Sequence, residues 1–145
     1  MKITIVDKQP DEEDEILVKC STLDDSIVKL LNSFKSGKGK LVFYKDEKIV
    51  LFEPKDIFYF ESVDDHVFAY TKDAVYESKE KLYQLEQELP SHDFMRANKA
   101  VILNLNKVQS LSPAFGGRFE AVLKNECKII ISRMYVAALK EMLGL

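Results

Sequence analysis

The sequence predicts a mostly β fold, α+β overall: small antiparallel β-sheets with short helices, preceded by a small α/β appendage. Three observations carry this expectation. From Lys40 onward, short apolar runs alternate with short polar turns. In that region only residues 78–90 and the C-terminal stretch after Ser132 space their leucines for a helix. The first 39 residues have a different texture, with two short apolar runs and one helical stripe.

In the appendage, residues 2–6 are a β-branched run that predicts a strand. Residues 11–15 form an acidic connector, and Ile16, Leu17 and Val18 predict a second strand. Thr22 or Asp24 can cap a helix, because a side-chain oxygen there accepts from an orphan backbone N–H. Ile27, Leu30, Leu31 and Phe34 follow at i, i+3, i+4 and i+7, one helix face. Gly37 and Gly39 end it, and residues 36–40 read as a linker. The expected domains are therefore 1–39 and 40–145.

In the second part, residues 41–44 and 49–52 flank a polar turn and predict a hairpin, which Pro54 ends because it has no N–H for a ladder. Residues 57–60 and 67–71 predict strands around a turn at 63–66, and residues 74–77 complete a further hairpin. Ser78 is placed to cap a helix carrying Leu82, Leu85 and Leu89, and Pro90 ends it. Residues 94–99 read as a polar, cationic lead-in to a buried strand over 100–103. Residues 108–111, 119–124 and 127–131 predict the last strands, with a glycine turn at 113–117. Ser132 is expected to cap a terminal helix lined by Val136, Leu139 and Leu143.

The net charge of −3 argues against a generic polyanion binder, but the charge is unevenly spread. Residues 54–93 carry net −6, whereas residues 94–145, with eight cations and three acids, carry net +5. Such an asymmetry hints at a directed electrostatic face. Two distant cysteines, Cys20 and Cys127, form neither a disulfide framework nor a zinc spacing; they read as buried small hydrophobes or free thiols. No apolar run approaches the ~20 residues of a membrane helix. The four-residue apolar stretch before the N-terminal acids is too short for a secretory signal, so a cytoplasmic protein is expected.

The order of landmarks resembles the LytTR-type DNA-binding domain of bacterial transcription regulators. Asp56, Ile57, Phe58, Tyr59, Phe60 and Glu61 are similar to that family's "dI-yiE" strand, and His66 follows in the next turn. Residues 78–90 resemble its "tL-ele--Lp" helix. Phe94, Arg96, Asn98, Lys99 and Asn104 lie in a stretch similar to "F-R-hrsyivN", and Ser132, Arg133 and Tyr135 match "vSRry". The resemblance spans residues 40–145. It implies an elongated fold of small sheets and recognition of double-stranded DNA by loops. It carries the contacting positions over to His66, Asn98, Lys99 and Arg133. The family often has His, Arg and Ser where this chain has Asn98, Lys99 and Ala100.

Read from the residues alone, each position keeps two meanings. Arg133 follows a helix cap, where an anion is favoured, and its fork fits guanine or phosphate; it also fits a solvated first-turn arginine. Asn98 can pair with adenine or satisfy a turn. Lys99 suits a phosphate, which strengthens binding without reading sequence. Arg96 is expected to make a structural ion pair with an acid such as Glu61, and Asn104 to tie down a turn. His66 is either a contact or a surface histidine.

The resulting expectation is a transcription regulator without a fused phospho-receiver and without enzymatic activity, cofactor, metal or small-molecule substrate. The appendage would support a homodimer or dock a partner, and the resemblance makes a small regulatory membrane protein a candidate partner. Two alternatives remain at this point: a protein-interaction module on the same scaffold, and a hydrolase using Asp64, Asp65 and His66.

Overall fold

The computed structural model describes residues 3–35 and 41–145. The chain divides into two compact units, Met1–Ser36 and Gly37–Leu145.

Among the described residues of the first unit the one regular element is helix α1, Asp25–Lys35. Asp24 caps it: its Oδ1 accepts from the Ile27 N–H at 3.0 Å and from the Ser26 hydroxyl at 2.7 Å. Those bonds hold the Asp24 carboxyl below the usual carboxylate range. The two expected strands are not present among the described residues. Ile3, Ile5, Val6, Ile16 and Leu17 are exposed, and no ladder pairs them. β-propensity expresses itself only where a partner strand and a covered face exist. Lys2, the proposed linker at 36–40 and the side chains of Leu31 and Phe34 lie outside the described residues.

The second unit is built on hairpins. Strands β1 (Leu41–Lys45) and β2 (Lys48–Phe52) flank a turn at Asp46 and Glu47, with φ of +49° and +65°. β3 (Tyr59–Val63) and β4 (His66–Tyr70) repeat the device around Asp64 and Asp65, at +49° and +64°. Both turns have positive φ at both central residues, the geometry that follows the natural twist of a two-residue hairpin. β5 (Val75–Ser78), β6 (Phe94–Asn98) and β7 (Val101–Asn104) complete a seven-stranded antiparallel sheet in the order β2-β1-β5-β4-β3-β7-β6. β8 (Val108–Pro113), β9 (Phe119–Leu123) and β10 (Lys128–Ile131) form a second sheet.

Alternation along β3 and β7 explains why Tyr59–Phe60 and Val101–Leu103 are apolar on both faces. Phe60 and Ile102 join Phe94 and the leucines of helix α2 (Leu82–Glu88) in one core. Tyr59, Val101 and Leu103 face the other way, into a core with Ala121, Leu123, Ile129 and Ile131 of the second sheet. Leu139 of helix α3 (Arg133–Met142) closes that second core. A strand covered on both faces has no polar side to show.

Two boundaries differ from expectation. Ser78 does not open the helix: it is the last residue of β5, opposite Val67, and its Oγ accepts from the Glu80 N–H at 3.1 Å. The helix starts at Leu82, where Gln84 Oε1 accepts from the Lys81 N–H at 2.8 Å. The stretch before the 100–103 run is itself a strand, because Met95 lies opposite Leu103 and Arg96 opposite Ile102. Only Lys99 and Ala100 remain as a turn between Asn98 and Val101.

Candidate nucleic-acid interface

β3 runs antiparallel to both β4 and β7, with Val63 opposite His66 and Glu61 opposite Val101. The Asp64–Asp65 and Lys99–Ala100 turns therefore leave the sheet at the same end. The Ser62 N–H donates to the Ala100 carbonyl at 2.8 Å and ties the two tips together. β5 ends there too, since Ser78 lies opposite Val67.

The second sheet reaches the same end through two hydrogen bonds. The Ser132 N–H donates to the Ala97 carbonyl at 2.8 Å, and Asn98 Nδ2 donates to the Ile130 carbonyl at 2.9 Å. Helix α3 thus begins beside the β6–β7 tip. Ser132 occupies the N-cap position in an extended conformation, but its hydroxyl makes no capping bond, contrary to expectation. That hydroxyl is buried and has no partner among the described residues.

All four sequence-predicted site residues accordingly stand at one end of the fold. Arg133 is exposed, and no hydrogen bond or ion pair engages its guanidinium among the described residues. Its stem lies against Gly117: a Cβ built there would come within 3.1 Å of Arg133 Cδ. Lys99 is exposed at the hairpin tip. Asn98 is half-buried and bonded on both sides, since its Oδ1 also accepts from the Ala100 N–H at 2.9 Å. One amide hydrogen and one lone pair remain for a further partner. His66 is exposed, and its Nδ1 lies 2.9 Å from Glu77 Oε1, which leaves Nε2 as the outward nitrogen.

Arg96 makes the expected structural ion pair, but with Glu86 instead of Glu61. Its Nη1 also donates to the Lys99 carbonyl at 2.7 Å, so Arg96 braces the tip that displays Lys99. Glu61 instead accepts from the Tyr70 hydroxyl at 3.1 Å. Asn104 is buried and ties down a turn as expected: its Nδ2 donates to the Ile57 carbonyl at 2.8 Å and its Oδ1 accepts from the Asn106 N–H at 3.0 Å. Among the described residues no group of three His, Cys, Asp or Glu could hold a metal ion, and both cysteines are free thiols.

The LytTr DNA-binding domain family model matches residues 47–144. The chain belongs to the LytTR family of DNA-binding domains. The sensory transduction protein LytT of Bacillus subtilis (strain 168) is 30% identical over 138 residues, 93% of this chain and 57% of that protein. LytT of Enterococcus faecalis (strain ATCC 700802 / V583) is 32% identical over 100 residues, 69% of this chain and 41% of that protein. The chain thus spans about half the length of these relatives. An HTH-type transcriptional regulator of Staphylococcus aureus (strain NCTC 8325 / PS 47) is 26% identical over 147 residues and is matched along 99% of its length. A solved LytTr DNA-binding domain from Bacillus cereus superposes with a TM-score of 0.71, covering 75% of this chain and all of that one at 20% identity; this likeness is one of fold.

Within this LytTR domain, further groups stand at the same end without a motif that marks them. Lys81 Nζ donates to the Asp65 carbonyl at 2.9 Å and braces the β3–β4 turn. Arg118 is exposed, one residue past Gly117. Phe115 is 91% exposed in the β8–β9 loop. A signal for Phe115 did exist in the sequence: a large aromatic in a glycine turn has no core to enter. The three α-helices of the described residues are separated by strands, so cations here are displayed by hairpin tips and a helix start.

Proposed function

We propose that this LytTR domain binds specific duplex DNA through the sheet end that carries Lys99, Arg133, His66 and Asn98, and thereby regulates transcription. The observation that carries the reading is the pair of hydrogen bonds from Ala97 and Asn98 to Ser132 and Ile130. They fix the Lys99 tip beside the Arg133 helix start, so two exposed cations are held in one geometry. Arg133, with an unengaged fork at a helix N-terminus, suits a guanine edge or a phosphate. Lys99 acts as a phosphate contact. Asn98 holds the tip and offers its remaining donor and acceptor to a base. Glu77 orients His66 so that Nε2 faces the duplex.

The first unit supports a homodimer or docks a partner, a small regulatory membrane protein included. Ile3, Ile5, Val6, Ile16, Leu17 and Leu23 are all exposed there, more apolar surface than so small a unit needs for itself. A chain shortened to residues 40–145 that kept the sedimentation mass and duplex affinity of the full chain would remove this role. The reading places the protein in the cytoplasm.

Selection of bound duplexes from a random pool at low salt is the direct test. One recovered consensus, bound with salt-dependent affinity, is the expected result. Absence of any bound duplex would favour the second reading, a protein-interaction module. That reading draws on the acids around His66, namely Asp64, Asp65 and Glu77.

A further inference from the structure

The β8–β9 loop displays an aromatic ring that the fold does not use. Phe115 is 91% exposed, whereas the nearby Phe119 is half-buried in the second core with Lys140 Nζ 5.7 Å from its ring centre. A single exposed apolar side chain needs no explanation by itself. Here its mounting supplies one. The Ala114 N–H donates to the Arg118 carbonyl at 2.8 Å and closes the loop at its base. Gly116 and Gly117 follow the ring at φ of +75° and +76°, a left-handed pair that turns the chain sharply. Gly117 then backs directly onto the Arg133 stem. The ring therefore stands on a closed, braced loop with exposed Arg118 and Arg133 beside its base.

We infer that Phe115 is a wedge that enters between neighbouring base pairs of the bound duplex while Arg118 and Arg133 hold the flanking phosphates or groove edge. The inference rests on the proposed DNA reading and adds a residue and a mode of recognition to it. An apolar side chain inserted at a base step unstacks it and kinks the duplex, and flexible pyrimidine–purine steps yield most readily. Specificity would then come partly from deformability at a step that no hydrogen bond reads. The two cations at the base of the loop favour nucleic acid over an apolar protein partner, which would have to desolvate them.

The experiment uses the full chain and a duplex selected from a random pool, with 2-aminopurine placed in turn at each purine. Wild type is expected to raise the fluorescence at one step, where the base loses its stack. Phe115→Ala is expected to abolish that rise and to weaken the selected duplex about ten-fold, the scale of one lost aromatic–base stack. The salt dependence should be unchanged, because no phosphate contact is lost. Phe115→Leu should retain part of the rise. An unchanged melting temperature for Phe115→Ala confirms that the ring serves no structural role. Binding by wild type with no responsive step overturns the wedge and leaves the DNA reading standing, as does an undiminished rise in Phe115→Ala. A change in sedimentation mass with unchanged duplex binding would make Phe115 a contact between copies and also overturn it. If wild type binds no duplex at all, the DNA reading falls first and takes the wedge with it.

Discussion

Asn98→Ala separates positioning from contact at the proposed interface. The Asn98 side chain joins two segments: its own hairpin, through the Ala100 N–H at 2.9 Å, and the second sheet, through the Ile130 carbonyl at 2.9 Å. Each hydrogen bond contributes a net ~0.5–1.5 kcal/mol, so loss of both destabilises the domain by about 1–3 kcal/mol. In a domain near this size each kcal/mol moves the melting temperature by about 4–6 °C, which gives a fall of roughly 4–18 °C. Lys99→Ala is the control. The Lys99 side chain is exposed and its carbonyl bond from Arg96 survives the change, so its melting temperature should stay within ~2 °C of wild type. Both variants should bind duplex more weakly. Calorimetric melting combined with duplex titration measures the two quantities. If Asn98→Ala melted within ~1 °C of wild type, the claim that Asn98 positions the tip would be refuted, and its role would be contact alone.

The remaining predictions concern the scaffold. Asn104→Ala leaves the Ile57 carbonyl and the Asn106 N–H without their partner at a buried site, and should cost about 2–5 kcal/mol in denaturant unfolding at an unchanged m-value. Burial and a hydrogen bond with the neighbouring Glu80 carboxyl push the Glu88 carboxyl up to about 7. The folded chain then holds this proton to higher pH than the unfolded chain, so the stabilisation is present at low pH and is lost as pH rises from about 4.5 towards 7. Melting temperatures across that window should decline in wild type relative to Glu88→Gln; parallel profiles would contradict the shift.

Where an element is fixed by local pattern, the sequence reading and the structure coincide. The hairpins around Asp46–Glu47 and Asp64–Asp65 are bounded by apolar runs that only strands would hold, and Asp24 caps α1 because a carboxylate there meets orphan N–H groups. The misreadings arise where tertiary partners decide. Ser78 has the chemistry of a cap, yet its place opposite Val67 makes it strand. Residues 3–6 have strand-like composition, yet no strand among the described residues pairs with them. Arg96 was legible as an ion-pair former, but Glu86 reaches it because α2 packs against β6, a fact no local spacing contains. The site residues are proposed from the family resemblance, and the structure brings them to one end. Their assembly at one end depends on long-range bonds, such as Asn98 to Ile130, that sequence does not display.

The central claim is that Lys99 and Arg133 form one DNA-reading edge with different tasks. Duplex affinity measured across a salt series for wild type, Lys99→Ala and Arg133→Ala, on the selected site and on scrambled sequence, tests it most directly. Lys99→Ala should weaken both duplexes alike and lower the salt slope by about one. Arg133→Ala should cost about 1–3 kcal/mol at the selected site and reduce its advantage over scrambled sequence. Affinity and slope equal to wild type in both variants would contradict the account.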